Sequence, residues 1–175
     1  MGMPFDQRSA VLVLARTPAV VRALLHGLPD AWLEANEGPE TWSPRDILGH
    51  FVHGEDTDWI TRARMILQRA PEPFPPFDRF AQFQRFAGVP IPELLDRFAA
   101  RRRENLAELE RFGIGPEELA FRGVHPTFGS VTLEELLATW VVHDLNHIGQ
   151  LCRVLAKQYR DEVGPWKQFL PILTR

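Results

Sequence analysis

Apolar residues recur at intervals of three and four in four long segments of the chain, separated by stretches rich in proline, glycine and charge. This spacing places the apolar side chains on one face of a helix. We find no series of strands in the sequence pattern. The pattern therefore predicts an all-α protein, a four-helix bundle with long connections, formed by one domain over residues 1–175. The predicted helices cover residues 6–28, 44–69, 92–112 and 132–159, and a short capping segment covers 164–175.

Two of the four helices begin with clear capping signals. Ser43 precedes Pro44, which suits the first helical turn, and Asp46 places a negative charge near the positive end of the helix dipole. Thr132 and Glu135 have the spacing of a capping box, in which each side chain bonds the backbone of the other residue. These signals set the starts of the second and fourth helices.

The connection between the second and third helices is long and rich in phenylalanine. A connection of this length is either functional or packed over another part of the molecule. One interpretation is a lid over the end of the bundle, and the other is that the rings close the hydrophobic core. The rings follow one another at intervals of three, as Phe74, Phe77, Phe80, Phe83 and Phe86.

Composition and charge restrict the class of protein. The chain has 175 residues, of which 45% are hydrophobic and 25% charged, and a net charge of −3. No global basic field favours nucleic acid, and no apolar run reaches the roughly 20 residues of a membrane span. The single cysteine, Cys152, rules out an intrachain disulfide, and the N-terminal residues lack the layout of a signal peptide. We therefore expect a cytoplasmic protein that binds neither nucleic acid nor membrane.

The fourth helix carries the strongest chemical signal, a pair of histidines four residues apart. The rings of His143 and His147 project from neighbouring turns of one side, with Cβ atoms roughly 5–6 Å apart, so that one metal ion can contact both. The alternative is that both are hydrogen-bonded core residues. Asp144 takes the place of the glutamate in the zinc-protease motif, so that chemistry lacks its general base. Asp144 also lies near the centre of the apolar stripe, and we expect it to have a partner.

Three further polar residues are candidates for the site, and the roles of Glu55 and Arg102 have two interpretations each. The apolar face of the second helix does not include His50, so periodicity does not direct this ring inward. Glu55 lies nearer that face and is either a partner for a metal-binding histidine or part of a salt bridge between helices. Arg102 is either a solvated residue of an arginine run or, because it lies one turn from Phe98, a ligand for a substrate carboxylate.

Three sequence motifs together resemble a known family. They are W-S-P-R-D-I-L-G-H-F-V-H-G-E at 42–55, R-G-V-H-P-T-F-G-S-V-T-L-E-E-L-L at 122–137 and W-V-V-H-D-L-N-H-I-G-Q-L at 140–151. This combination is similar to the DinB/YfiT-like superfamily of four-helix bundles, and the similarity extends over about residues 17–166. The resemblance implies a divalent metal bound by His50, His143 and His147. His53 matches a variable position of the family, and the chain's other two histidines, His26 and His125, match no ligand position and are interpreted as surface or structural residues.

The implied ligand set defines the chemistry of the site. Three neutral imidazoles leave the full charge of the metal and at least one open coordination position, which is the pattern of catalytic sites. Imidazole suits several divalent metals, and we expect zinc or nickel. Each ligand should also hydrogen-bond through its other ring nitrogen. The candidate partners, which the sequence does not rank, are Asp46, Glu55, Asp144, Asn146 and Gln150.

The resemblance also implies a class of reaction. Family members of known activity include transferases and isomerases that use low-molecular-weight thiols such as bacillithiol or mycothiol. We therefore expect a metal-dependent thiol S-transferase in which the metal activates the thiol and Phe77 and Phe80 help to bind a small-molecule electrophile. The alternatives are a metal-dependent hydrolase that uses a bound water, and a non-catalytic, stress-induced metal-binding protein. The family resemblance further implies a homodimer.

Overall fold

Four long helical segments form the bundle, and the computed structural model describes residues 2–174. The predicted four-helix bundle is confirmed, with two antiparallel strands added before the last long helix. The α-helices are α1 (Gln7–Leu25), α2 (Asp30–Leu33), α3 (Pro44–Thr57), α4 (Trp59–Leu67), α5 (Ala81–Arg85), α6 (Ile91–Arg111), α7 (Pro116–Leu119) and α8 (Leu133–Lys157). The strands are β1 (Arg122–His125) and β2 (Gly129–Thr132), and two 3₁₀ helices, Gly164–Phe169 and Pro171–Leu173, follow α8.

The second predicted helix is broken, contrary to the continuous helix expected over residues 44–69. Asp58 separates α3 from α4, with φ −112° and ψ −77°. The residue before it, Thr57, donates a hydrogen bond of 2.8 Å from its hydroxyl to the carbonyl oxygen of His53. A hydroxyl that bonds the preceding turn in this way favours a bend in a helix. Apolar periodicity did not predict this break.

The strand pair lies in the connection before the fourth predicted helix, where the sequence pattern indicated no strands. Arg122 faces Thr132 and His125 faces Gly129 in an antiparallel register, and each strand has only four residues, too few for a clear period of two. Gly123 is required at its position because a Cβ there would lie 2.5 Å from the Phe74 ring. The last residue of β2, Thr132, is also the N-cap of α8, so the hairpin fixes where that helix begins.

Two hydrophobic clusters fill the bundle, and the apolar face of α8 belongs to both. Its N-terminal half, including Trp140, packs in one cluster with α4. Its C-terminal half, including Leu151 and Val154, packs in the other with α3 and α6. His143 and His147 lie near the middle of α8, between Trp140 of the first cluster and Leu151 of the second. The candidate site therefore lies at the level where the two clusters meet.

The C-terminal segment docks on the bundle through one residue. Leu173 is buried and its short 3₁₀ helix packs against α8. Trp166 and Phe169, in the first 3₁₀ helix of the predicted capping segment, do not dock in the same way, since these side chains are 69% and 73% exposed. Over the described residues, no helix is both long enough and apolar enough to cross a lipid bilayer.

Candidate metal centre

His50 is buried although it lies off the apolar stripe of its helix. Every residue from 47 to 55 is buried, because α3 is covered by α5 as well as by α6 and α8. Gly49 permits the close approach of α5: a Cβ there would lie 3.4 Å from the Phe86 ring. Apolar periodicity describes a helix with one exposed side, so it fails for a helix surrounded in this way.

The structure brings the three predicted ligands together. One ring nitrogen from each of His50, His143 and His147 can be chosen so that all three lie within 4.8 Å of one another. The Nε2 atoms of His50 and His143 are 2.9 Å apart. The spacing of four residues on α8 supplies two rings, and α3 supplies the third from the facing helix.

The environment keeps the rings of His50 and His147 neutral. Burial is the largest cause, and together with repulsion from the neighbouring His143 and His147 it lowers the pKa of His50 to about 2. Burial and His143 also lower the pKa of His147 to about 4, against the opposing effect of its hydrogen bond to Gln150. A neutral imidazole has a free lone pair, which is the form that binds a metal.

The ring of His147 is oriented by Gln150. The Nδ1 of His147 lies 2.8 Å from the Oε1 of Gln150, which only accepts hydrogen bonds. The Nδ1 atom therefore carries the proton, and Nε2 is left with its lone pair. Among the five candidate partners, Gln150 makes such a bond, whereas Asn146 is exposed and bonds none of the three rings in the described chain.

The other two rings keep nitrogen atoms without hydrogen-bond partners. The Nδ1 atoms of His50 and His143 are buried and unpartnered. Asp144 provides the one carboxylate oxygen within 4.0 Å of any of the three rings in residues 2–174, at 3.7 Å from the Nδ1 of His143. Buried polar atoms are rarely left unpaired in a purely structural cluster. The neutral rings, the converging nitrogens and these unpartnered atoms fit a site for a divalent cation.

Asp46 and Glu55, two of the unranked candidates for orienting the ligands, make their hydrogen bonds elsewhere in the described chain. The Asp46 carboxylate accepts hydrogen bonds from the backbone N–H and the hydroxyl of Ser43, at 2.9 and 2.7 Å, and so caps α3. Glu55 accepts bonds from Arg102 at 2.7 and 3.0 Å and from the indole of Trp140 at 3.2 Å. The alternative interpretation of Glu55, a salt bridge between helices, is the one that the structure shows.

Arg102 reaches inward, but its donors are all used within the protein. It is 1% exposed, and its Nη1 donates to Asp144 at 2.6 Å and to the carbonyl oxygen of Leu14 at 2.7 Å. The other donors bond Glu55 and Asp144. Arg102 therefore has no free donor for a substrate, contrary to its predicted role. Asp144 was expected to have a partner, and the structure shows that this partner is Arg102.

Aromatic side chains surround the histidines and line a cavity beside them. Phe77 contacts His50 edge-on, with ring centroids 5.6 Å apart, and Trp42 stacks on His147 at 6.1 Å. Phe80 is half-exposed and lines the same cavity as Trp42 and His147. The predicted Phe77 and Phe80 are therefore both near the site. Trp42 and Phe83 were not predicted, although Phe83 shares the three-residue spacing of Phe80.

The remaining histidines in the bundle hold loops in place. The Nε2 of His53 hydrogen-bonds the carbonyl oxygen of Asp78 at 3.0 Å, and its ring lies 5.0 Å from that of Phe77. His53 therefore anchors the phenylalanine-rich connection over α3. The Nδ1 of His125 accepts hydrogen bonds from the backbone N–H groups of Thr127 and Phe128 in the β-hairpin turn, which agrees with a structural role.

The fold and the site define a helical bundle with a partly buried three-histidine cluster, and comparison with known proteins identifies the family. The model of the DinB superfamily matches residues 14–151, so the chain belongs to this superfamily. Comparison with curated proteins finds no match.

Two solved structures have the same fold. YfiT from Bacillus subtilis, described as a probable metal-dependent hydrolase with an unusual four-helix bundle topology, superposes with a TM-score of 0.78. It is 17% identical, and the similarity covers 90% of this chain and 92% of YfiT. TT2238, described as a four-helix bundle protein, has a TM-score of 0.53 and 25% identity over 84% of this chain and 98% of its own.

Proposed function

We propose that this protein is a divalent-metal-dependent enzyme whose metal is held by His50, His143 and His147. The observation that carries the proposal is the convergence of three ring nitrogens within 4.8 Å of one another, next to a cavity lined by His147. A bound cation would lower the pKa of a thiol or a water molecule at its open coordination position. Zinc and nickel both suit a site made of imidazole ligands.

The pKa of the nucleophile favours a thiol. Asp144 and Glu55 are bonded to Arg102, and Asp46 caps α3, so these three carboxylates are engaged within the protein. A free thiol, with a pKa of about 8.5, needs only a small lowering to ionise near pH 7, whereas water must be lowered from about 15.7 to about 7 by the metal. Thiol chemistry therefore makes the smaller demand on the site, although a metal-bound water is also compatible with it.

The proposed reaction is the S-transfer of a low-molecular-weight thiol, of the bacillithiol or mycothiol type, to an electrophilic substrate. The thiol releases its proton to solvent, and its sulfur forms a bond to an electrophilic carbon. The bond from that carbon to the leaving group breaks, with the electron pair going to the leaving group. Trp42 and Phe80 hold the apolar part of the electrophile in the cavity, and Phe77 covers His50.

Hydrolysis is the second candidate, because YfiT is described as a probable metal-dependent hydrolase. The two reactions differ in their products: hydrolysis adds the elements of water across the cleaved bond, and its product contains no thiol. Mass spectrometry of the product separates them. Metal binding without turnover on a panel of thiol acceptors and esters would instead indicate the non-catalytic metal-binding protein.

The first test is the metal content of the protein. We expect about one divalent ion per chain in untagged protein expressed without added metal, as measured by inductively coupled plasma mass spectrometry. The His50→Ala and His147→Ala variants should lose it, because two imidazoles remain in each. His53→Gln is the matched control, since His53 is buried on the same helix but bonds Asp78. It should keep its metal.

Two results contradict the proposal. One is a wild-type protein that binds no metal even after incubation with zinc or nickel. The other is a His143→Ala variant that has lost its metal but retains full turnover on a substrate of the wild-type enzyme. The first result removes the metal site, and the second separates the metal from catalysis.

A further inference from the structure

The cavity beside the histidines is large enough for a small organic molecule. Its volume is about 770 Å³, within the usual range of ligand pockets. His147 and Gln150 line it, and Trp42, Phe80 and Phe83 form an aromatic wall. Aromatic rings of this kind provide apolar contact area for a flat ligand.

Most charged groups that line the cavity are already paired. Glu37 accepts bonds from Arg153 at 2.7 Å and from Lys157 at 2.6 Å. Asp46 is bonded to Ser43. These groups contribute to the shape of the cavity, but their charges are neutralised or engaged before any ligand enters.

Arg79 is the lining cation without a carboxylate partner in the described chain. Its guanidinium lies over the ring of Phe80, 4.9 Å from the centroid, and no Asp or Glu of residues 2–174 lies within ion-pair distance. Its field also reaches the histidines, since Arg79 is among the charges that lower the pKa of His50. Glu40, another lining residue without an ion pair in residues 2–174, is an exposed carboxylate.

We infer that the ligand of this cavity carries a carboxylate, which Arg79 binds, and a flat apolar body, which contacts Trp42, Phe80 and Phe83. A guanidinium presents two parallel N–H groups that match the two oxygens of a carboxylate. The aromatic wall and the cation adjoin each other at Phe80, so one molecule can use both. This inference deepens the proposed function, on which it rests for the claim that the ligand is the electrophilic substrate.

Arg79 thus takes the role that the sequence suggested for Arg102. Both are arginines near aromatic rings, but Arg102 is 1% exposed and bonded to two carboxylates, whereas Arg79 is exposed and lines the cavity. Because Arg79 is exposed, solvent screens its charge, and we expect a moderate contribution to affinity rather than a large one.

The test compares two probes that differ only in charge. The dissociation constants of 2-naphthoate and 2-naphthamide are measured by isothermal titration calorimetry on metal-free protein, so that the carboxylate has no metal to bind. We expect naphthoate to bind about fivefold to tenfold more tightly than naphthamide. The Arg79→Ala variant should bind the two probes within about twofold of each other, with naphthamide affinity unchanged.

Arg103→Ala is the matched control. Arg103 is an exposed arginine on α6 that does not line this cavity, so its removal changes the net charge equally. This variant should keep the preference for naphthoate. The inference is overturned if wild type shows no preference, if Arg79→Ala retains it, or if Arg103→Ala loses it to the same extent. Because the probes bind metal-free protein, a failure here is distinct from a failure to bind metal.

Discussion

His143 and Asp144 are neighbours on α8 but belong to two different polar clusters, which differ in how completely their polar atoms are hydrogen-bonded. Asp144 belongs to a network in which each charged group has partners: Arg102 joins it to Glu55. His143 belongs to a cluster in which two buried ring nitrogens have none. The satisfied network holds helices together, whereas the histidine cluster combines unpartnered nitrogens with possible ligand atoms that lie within 4.8 Å of one another. Converging ligand atoms, together with incomplete hydrogen bonding, therefore distinguish the candidate metal site from the structural network.

The satisfied cluster connects all four long helical segments. Arg102 of α6 bonds the carbonyl oxygen of Leu14 on α1, Glu55 on α3 and Asp144 on α8. Asn105 also donates to the Glu55 carboxylate, at 2.9 Å. Two carboxylates and one guanidinium are thus held in the core, where an ion that loses its partner is costly.

The largest effect should follow from breaking this network. Arg102→Met keeps much of the volume of the side chain but leaves Glu55 and Asp144 buried without their cation. We expect a loss of about 3–5 kcal/mol in the free energy of unfolding, measured by urea denaturation. Arg103→Met, at the exposed neighbouring position, should change it by less than about 0.5 kcal/mol. Equal effects of the two substitutions would contradict the structural role of the network.

The histidine cluster should make the stability of the folded protein depend on pH. In metal-free protein the pKa values of His50 and His147 are lowered, to about 2 and about 4, from the usual 6.5. Below pH 6.5 the unfolded chain therefore binds protons that the folded chain excludes. Stability is fully present above pH 6.5 and falls as the pH decreases toward 4.

The His50→Gln variant isolates this effect. Each excluded proton changes stability by up to about 1.4 kcal/mol per pH unit. After allowance for solvent screening, we expect wild type to lose about 1–2 kcal/mol more than His50→Gln between pH 6.5 and 4.5. Urea denaturation at several pH values, with a chelator present, measures the difference. His26→Gln, which alters an exposed histidine, should follow wild type; if it instead behaves like His50→Gln, the pH dependence does not arise in the cluster.

The sequence predicted what depends on local patterns and missed what depends on packing between distant segments. The start of α8 was predicted because Thr132 and Glu135 cap it through contacts three residues apart. Periodicity also predicted that Asp144 is buried. It failed for His50, because the covering segment α5 is more than 30 residues away along the chain. Family resemblance, rather than pattern, identified that ligand.

Choosing among polar partners also required coordinates. Asp46, Glu55, Asn146 and Gln150 were equivalent candidates for orienting the ligands, because a side chain's alternative bonds are not visible in the sequence. The structure shows that Asp46 and Glu55 are engaged elsewhere and that Gln150 contacts His147. Asn146 and Gln150 are amides four residues apart on the same helix. Gln150 hydrogen-bonds the cluster, and Asn146 does not.

This pair of amides gives the finest test of the comparison between the two clusters, and the smallest effect. Gln150→Ala removes the acceptor that fixes the protonated nitrogen of His147, and we expect metal affinity to fall by about tenfold or less. Asn146→Ala, on the exposed side of α8, should stay within about twofold of wild type. Competition with a chromogenic chelator measures both affinities. Equal affinities would mean that the ring of His147 is held by packing against Trp42 rather than by its hydrogen bond.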